Sequence, residues 1–225
     1  YTPNNNYNGP DTFTYTVNDN NGATSNTATV NITINPINDA PVANDDSYSV
    51  NEDTTLNVVA PGILTNDTDI DGDTLTSIQI SSTSNGSLTL NTDGSFSYTP
   101  NSNFYGIDSF TYVANDSITN SNIATVTITI NSINDPSTAN DDTATTNEDN
   151  PTWIDILTND NDPDGTLDPT TINITTGPNN GNTNINTTTG EIQYTPNNNY
   201  NGPDTFTYTI NDNNGATSNT ATVNI

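Results

Sequence analysis

Apolar and polar residues alternate with a period of two along short stretches of this chain, and Gly, Asn, Asp and Pro interrupt each stretch after a few residues. That spacing predicts strands joined by turns, and helical periodicity is almost absent. In the middle of the chain the expected strands are Asp46–Val50, Thr54–Val59, Thr74–Ser81, Ser87–Leu90, Ser95–Tyr98, Asp108–Ala114 and Ile123–Asn131. The last alternates Thr with Ala, Val and Ile without a break. Asn91-Thr92-Asp93-Gly94 is a good hairpin turn between two of them. Many short strands at regular spacing define an all-β fold of the β-sandwich kind.

The pattern repeats. Tyr1-Thr2-Pro3-Asn4-Asn5-Asn6-Tyr7 returns as Tyr98-Thr99-Pro100-Asn101-Ser102-Asn103-Phe104 and again as Tyr194-Thr195-Pro196-Asn197-Asn198-Asn199-Tyr200. Residues 1–32 and 194–225 are identical except for Val17 against Ile210, whereas the middle copy diverges. Two repeat types therefore alternate, with a super-period of 193 residues. The expected division is 1–38, the back end of one repeat; 39–134, a complete repeat; and 135–225, a repeat stopping inside its last strand. The linkers Pro36 to Pro41 and Ser132 to Pro136 are short and contain Pro, which favours stiff, extended connections and a rod-like array.

Charge changes the picture more than composition does. The chain has no Lys, Arg or His against 27 Asp and Glu, a formal net charge of -27, and only 28% of its residues are hydrophobic. Such values alone point to disorder; the repeat and the strand patterning point to small folded cores instead. Nucleic acid and anionic membrane surfaces are excluded as electrostatic partners, because no cation is present to meet a phosphate. Clustered carboxylates in such a chain need cations from solution, and calcium suits an all-oxygen donor set. There is no Cys to form a disulfide and no apolar run long enough for membrane insertion.

Asn38-Asp39-Ala40-Pro41-Val42-Ala43-Asn44-Asp45-Asp46, Asn51-Glu52-Asp53, Leu64-Thr65-Asn66-Asp67, Asp69-Ile70-Asp71-Gly72-Asp73 and Asp93-Gly94-Ser95-Phe96-Ser97-Tyr98-Thr99-Pro100 follow one another in order. This series resembles the bacterial Ig-like or cadherin-like tandem repeat of giant surface proteins and adhesins. The resemblance implies export to the cell surface, Ig-like sandwiches strung end to end, and Ca2+ at the joints. In the third repeat, Asp162-Pro163-Asp164-Gly165-Thr166 lacks the final Asp and Pro151-Thr152-Trp153 replaces Thr54-Thr55-Leu56, so a weaker or differently composed metal site is expected there. Trp153 itself reads as core or joint packing.

Ig-like topology then groups the candidate ligands. Asp67, Asp69, Asp71 and Asp73, with Asp116 of the loop between the last two strands, should lie at the pole facing the linker Asn38–Asp39. Glu52 and Asp108 should lie at the opposite pole, facing Asn134, Asp135 and the next repeat's Asp160, Asp162, Asp164 and Asp212. The Asp69–Asp73 run is not an EF-hand loop: its Gly stands two positions early and Ile80 occupies the place of the closing Glu. The competing reading is that Asp, Asn and Gly simply make good turns.

Without His, Cys or Lys the usual nucleophile–base pairs are missing, so no enzyme is expected. The expected role is a structural or adhesive extender of an extracellular filament or surface adhesin. Its partners would be other repeats of one long chain or other copies in a fibre, with any glycan or surface ligand met by domains beyond this segment. An array of carbohydrate-binding modules, and a self-assembling matrix fibre with strand exchange between chains, stand as alternatives.

Overall fold

The computed structural model describes all 225 residues, Tyr1–Ile225. They form two compact units, one of Tyr1–Asn101 with Gly106–Ile130 and one of Ser102–Tyr105 with Asn131–Ile225. The first unit opens with an antiparallel pair, β1 (Gly9–Tyr15) and β2 (Ala28–Ile34), in register from Gly9 opposite Ile34 to Tyr15 opposite Ala28. An Ig-like β-sandwich follows: β3 (Asp46–Asn51), β4 (Leu56–Val58), β5 (Thr76–Ser81), β6 (Gly86–Leu90), β7 (Phe96–Pro100), β8 (Gly106–Asn115) and β9 (Ala124–Asn131). One sheet has the order β3-β9-β8-β5 and the other β4-β7-β6.

Period-two patterning decides what is inside. In β9, Ala124, Val126, Ile128 and Ile130 are buried while the intervening Thr residues face outward. Tyr98, Phe110 and Tyr112 are fully buried, and Phe96 meets Tyr48 and Phe110 edge-on at centroid distances of 5.1 and 5.5 Å. One feature had no signal in the alternation: a 3-10 turn at Gly62–Leu64, seated on the β6–β7 turn. Gly62 and Gly94 both have positive φ, and a Cβ on either would overlap backbone of the opposing turn, so only glycine fits the contact.

The second unit repeats the sandwich with β10 (Asp142–Thr143), β11 (Thr152–Ile154), β12 (Leu167–Thr176), β13 (Gly181–Ile185), β14 (Ile192–Pro196), β15 (Thr205–Asp212) and β16 (Ala221–Asn224). Its sheets run β10-β16-β15-β12 and β11-β14-β13, and β10 lies parallel to β16. Ile156, Ile192, Tyr194, Phe206, Tyr208 and Ile210 fill the core. Of the two placements expected for Trp153, core or joint packing, the structure rules out the core. Ile154 takes the inward position on β11, so alternation turns Trp153 outward and leaves it 46% exposed.

The near-identical segments 1–32 and 194–225 show what a second layer contributes. Phe13 and Tyr15 are 47% and 51% exposed on the two-stranded sheet, whereas the equivalent Phe206 and Tyr208 are 1% and 0% exposed beneath the β11-β14-β13 sheet. Strand pairing is local; burial is not. Tyr208→Ala should therefore destabilise the second unit by about 3–5 kcal/mol, and Tyr15→Ala should cost under about 1 kcal/mol. Urea unfolding of the two variants, side by side, measures the difference.

Candidate metal centre

In the first unit the chain enters the sandwich through Asn38 and Asp39, and side chains bolt that entry down. Asn122 receives the Ala43 N–H on its Oδ1 and donates its amide to the Ala43 carbonyl. Asn44 donates its side-chain amide to the Asn66 carbonyl, Asn66 donates to the Asp45 carbonyl, and Asp45 accepts the Thr125 N–H at 2.7 Å. Val42 and Thr68 exchange backbone hydrogen bonds at 2.8 and 3.0 Å. This lacing holds the loop Thr68 to Asp73 beside the linker.

There Asp69, Asp71 and Asp73 converge, with a ligand oxygen from each lying within 4.8 Å of the others. Asp69 Oδ1 orders the loop by accepting the Asp71 N–H at 2.8 Å, while its Oδ2 is buried without a hydrogen-bond partner. Asp71 accepts the Asp39 N–H at 2.7 Å, which ties linker to loop. A cleft of about 290 Å³ beside them is lined by Asn6, Tyr7, Ile34, Pro36, Asp39 and Asp71. Asn38 donates its amide nitrogen to Asp116 Oδ2 at 2.8 Å and to Thr119 Oγ1 at 3.1 Å, which turns its carbonyl oxygen the other way.

Two acids expected at this pole, Asp67 and Asp116, are not gathered into that group, and Asp108, expected at the opposite pole, is held by donors of its own sandwich. Asp67 turns into the sandwich, where it accepts the Asn44 N–H at 2.8 Å and the Tyr112 hydroxyl at 2.9 Å. Asp116 is buried and saturated by the Ile118 and Thr119 N–H groups, the Thr119 hydroxyl and the Asn38 amide, which hold its carboxyl far below the usual range, the Thr119 N–H contributing most. Asp108, 5% exposed, accepts the N–H groups of Ser84, Asn85 and Ser109 and the Tyr98 hydroxyl at 2.8–3.0 Å. Burial works to raise the Asp108 pKa, and these four donors together outweigh it and lower it. Glu52 is buried at the β3–β4 turn, 2% exposed.

The second unit repeats this plan with changes. Asn140, Asn159, Asn219 and Asp141 reproduce the lacing, and Asp204 is held by Asn179, Asn180, Thr205 and Tyr194 as Asp108 is in the first unit. Asp160 turns inward to Tyr208 at 2.9 Å. Asp135 donates its N–H to Asp164 at 3.3 Å. Asn134 donates to Asp212 at 2.7 Å, and its Oδ1 is taken by the Asn214 amide at 2.5 Å. Asp212, 2% exposed, also accepts the Asn214 and Ala216 N–H groups. Both oxygens of Asp162 are buried without a hydrogen-bond partner, and burial raises its pKa. A Cβ at Gly165 would overlap Asn213 Oδ1 and crowd Asp162 Oδ2, so the glycine lets two oxygen donors close around one point. Thr166 stands where the first unit has its third carboxylate.

Sequence reasoning missed the structural use of Asn44, Asn66 and Asn122. Their recurrence as Asn140, Asn159 and Asn219 was the available signal, submerged in a chain where Asn is about a fifth of all residues.

The two-sheet packing and its strand order define an Ig-like sandwich. Residues 38–132 match the model of the bacterial cadherin-like domain, and residues 1–33 and 134–225 match that of the bacterial Ig domain. The chain belongs to the bacterial Ig/cadherin-like repeats. No curated protein matches it in sequence. Among solved structures it is similar to PcdhgB3 EC1-4 (TM-score 0.56, 13% identity, 96% of this chain and 65% of that one) and to the protocadherin GammaB4 extracellular domain (TM-score 0.51, 14% identity, 95% and 39%). An endo-fucoidan hydrolase from glycoside hydrolase family 107 also aligns, at TM-score 0.39 and 21% identity over 100% of this chain and 34% of that one. The chain thus spans only part of the length of each of these proteins. At such identities the likeness shows the fold alone.

Asp108 gives a clear test of which acids serve the fold. Asp108→Asn should lower stability by about 2 kcal/mol, through loss of charge-assisted hydrogen bonds, and by the same amount in calcium and in chelator. Thermal melts in the two buffers measure it.

Proposed function

We propose that this chain is a passive extender segment of an extracellular filament or giant surface adhesin, stiffened by calcium where a linker enters a sandwich. Bacterial Ig and cadherin-like domains suit an adhesion or extender role and are typically extracellular or at the cell surface. No helix is long and apolar enough to cross a membrane. The reading is non-catalytic, in keeping with both families.

One observation carries the calcium reading. Asp69, Asp71 and Asp73 bring ligand oxygens within 4.8 Å of one another, one Asp69 oxygen is buried without a donor, and no side chain in the protein can supply a positive charge. Three carboxylates held so close repel one another, and a hard cation with six to eight oxygen ligands relieves that repulsion. Asp69, Asp71 and Asp73 would hold it, with Asn38 and Asp39 beside them. In the second unit Asp162 and Asp164 would do so with Asn213, a set one carboxylate poorer. Asp67, Asp108, Asp116, Asp160 and Asp212 would position the surrounding loops.

Binding to the folded state alone stabilises by mass action. Saturating calcium should raise the melting temperature of the first unit over that in chelator, and Asp71→Asn should abolish most of that rise while leaving the chelated protein unchanged or slightly more stable. Calorimetry reads both. Equal melting temperatures with and without calcium would sink the reading.

A further inference from the structure

In each sandwich one fully buried tyrosine hydroxyl is crowded by at least four acceptor atoms. Tyr112 has Asp67 Oδ2 and the Ile63 carbonyl both at 2.9 Å, Asp67 Oδ1 at 3.1 Å, the Asn44 carbonyl at 3.2 Å and Asp46 Oδ2 at 3.3 Å. A phenol carries a single proton. Tyr208 stands in the same surroundings, with Asp160 Oδ2 at 2.9 Å, the Ile156 carbonyl at 3.0 Å, and the Asn140 carbonyl and Asp142 Oδ2 at 3.3 Å. The arrangement has formed twice, in units whose sequences diverge, so it is a property of the fold.

The two carboxylates at each hydroxyl are not equivalent. Asp67 and Asp160 each receive a backbone N–H, from Asn44 at 2.8 Å and Asn140 at 2.7 Å. Asp46 and Asp142 have the tyrosine at 3.3 Å and side-chain help from Asn66 and Asn159. Every other titratable group facing them is an acid or a phenol. Asp46 faces Asp67 from the loop after the 3-10 turn, Tyr112 from β8, Asp45 just before its own strand and Tyr48 on it. Asp142 faces Asp160, Asp155 and Tyr208.

We propose that each sandwich holds a proton-binding site, in which Asp46 and Asp142 take up the proton that the crowded tyrosine hydroxyl lacks, so that mild acid tightens the fold. A protonated Asp46 donates to the Tyr112 oxygen, freeing the phenol proton for Asp67 or Ile63; Asp142 does the same at Tyr208. Solvent supplies the proton, and no bond other than O–H is made or broken. Burial is the main cause lifting both carboxyls to about 6, with the neighbouring acids adding to it.

The sign follows from linkage. A carboxyl raised in the folded state costs stability as pH climbs from its unfolded value, about 4, to its folded value, and nothing further above that. Asp108, Asp116, Asp204 and Asp212 are lowered and act oppositely, losing stability only in stronger acid. The two sets leave an optimum near pH 4–5.

The test is urea unfolding of the full chain in chelator at pH 5 and pH 7, for the wild type, Asp46→Asn, Asp142→Asn and the double variant. Going from pH 5 to 7 should shift the wild-type unfolding equilibrium five- to tenfold per sandwich, a value near the low end because the carboxyls are only half-buried. Each Asn, which mimics the protonated acid, should remove the shift of its own unit. An undiminished shift in the double variant overturns the proposal. Should a variant not fold, carboxyl-carbon NMR titration of the wild type decides: two Asp carboxyls with midpoints near 6 support the site, and midpoints all below about 4.5 overturn it.

Discussion

Every acid in this protein must find its stabilisation without a basic side chain, and that one constraint shapes the fold around it. A carboxylate taken from water needs N–H or O–H donors, a proton or a bound cation. With no Lys, Arg or His in 225 residues, no buried acid can form an ion pair with a side chain. The acids accordingly divide. Asp108, Asp204, Asp116 and Asp212 are wrapped in backbone and side-chain donors and remain ionised. Asp69 and Asp162 keep buried oxygens that nothing in the chain satisfies. Asp46 and Asp142 each meet a phenol, Tyr112 and Tyr208, that closer acceptors also claim.

The abundance of Asn has its explanation in the same constraint. An amide offers a donor and an acceptor without charge, so Asn can sit beside a carboxylate or bridge two backbone segments where Lys or Arg would otherwise serve. Asn122 and Asn219 clamp Ala43 and Ala139 by pairing with both their N–H and C=O groups, and Asn38 and Asn134 each fasten the linker to a buried Asp. These contacts span about eighty residues of sequence, so they close the first part of a repeat onto its last.

Much of the fold could be read from the sequence because strands announce themselves locally. The alternation in Ala124–Asn131 places each side chain on its face, and the structure agrees residue by residue. The core alternative for Trp153 fails on phase, since Ile154 already holds the inward position. The acidic loop was legible as a group, and Asp69, Asp71 and Asp73 do converge. Asp67 was not separable from them by spacing. Whether it faced the pole or the core depended on a tyrosine 45 residues away, and no local pattern carries that information.

Pairing between the first and last strands of a repeat has a mechanical consequence. β10 and β16 run parallel, side by side, with Asp142 opposite Val223 and Thr143 opposite Asn224, and Asp141 adds a bond to the Thr222 N–H. Tension entering near β10 and leaving after β16 pulls the two strands in opposite directions along their length. Their hydrogen bonds then carry the load together, in shear, and cannot open one at a time like a zip. Forced unfolding is governed by the unfolding rate, so a few bonds loaded at once can resist pulling out of proportion to their equilibrium worth.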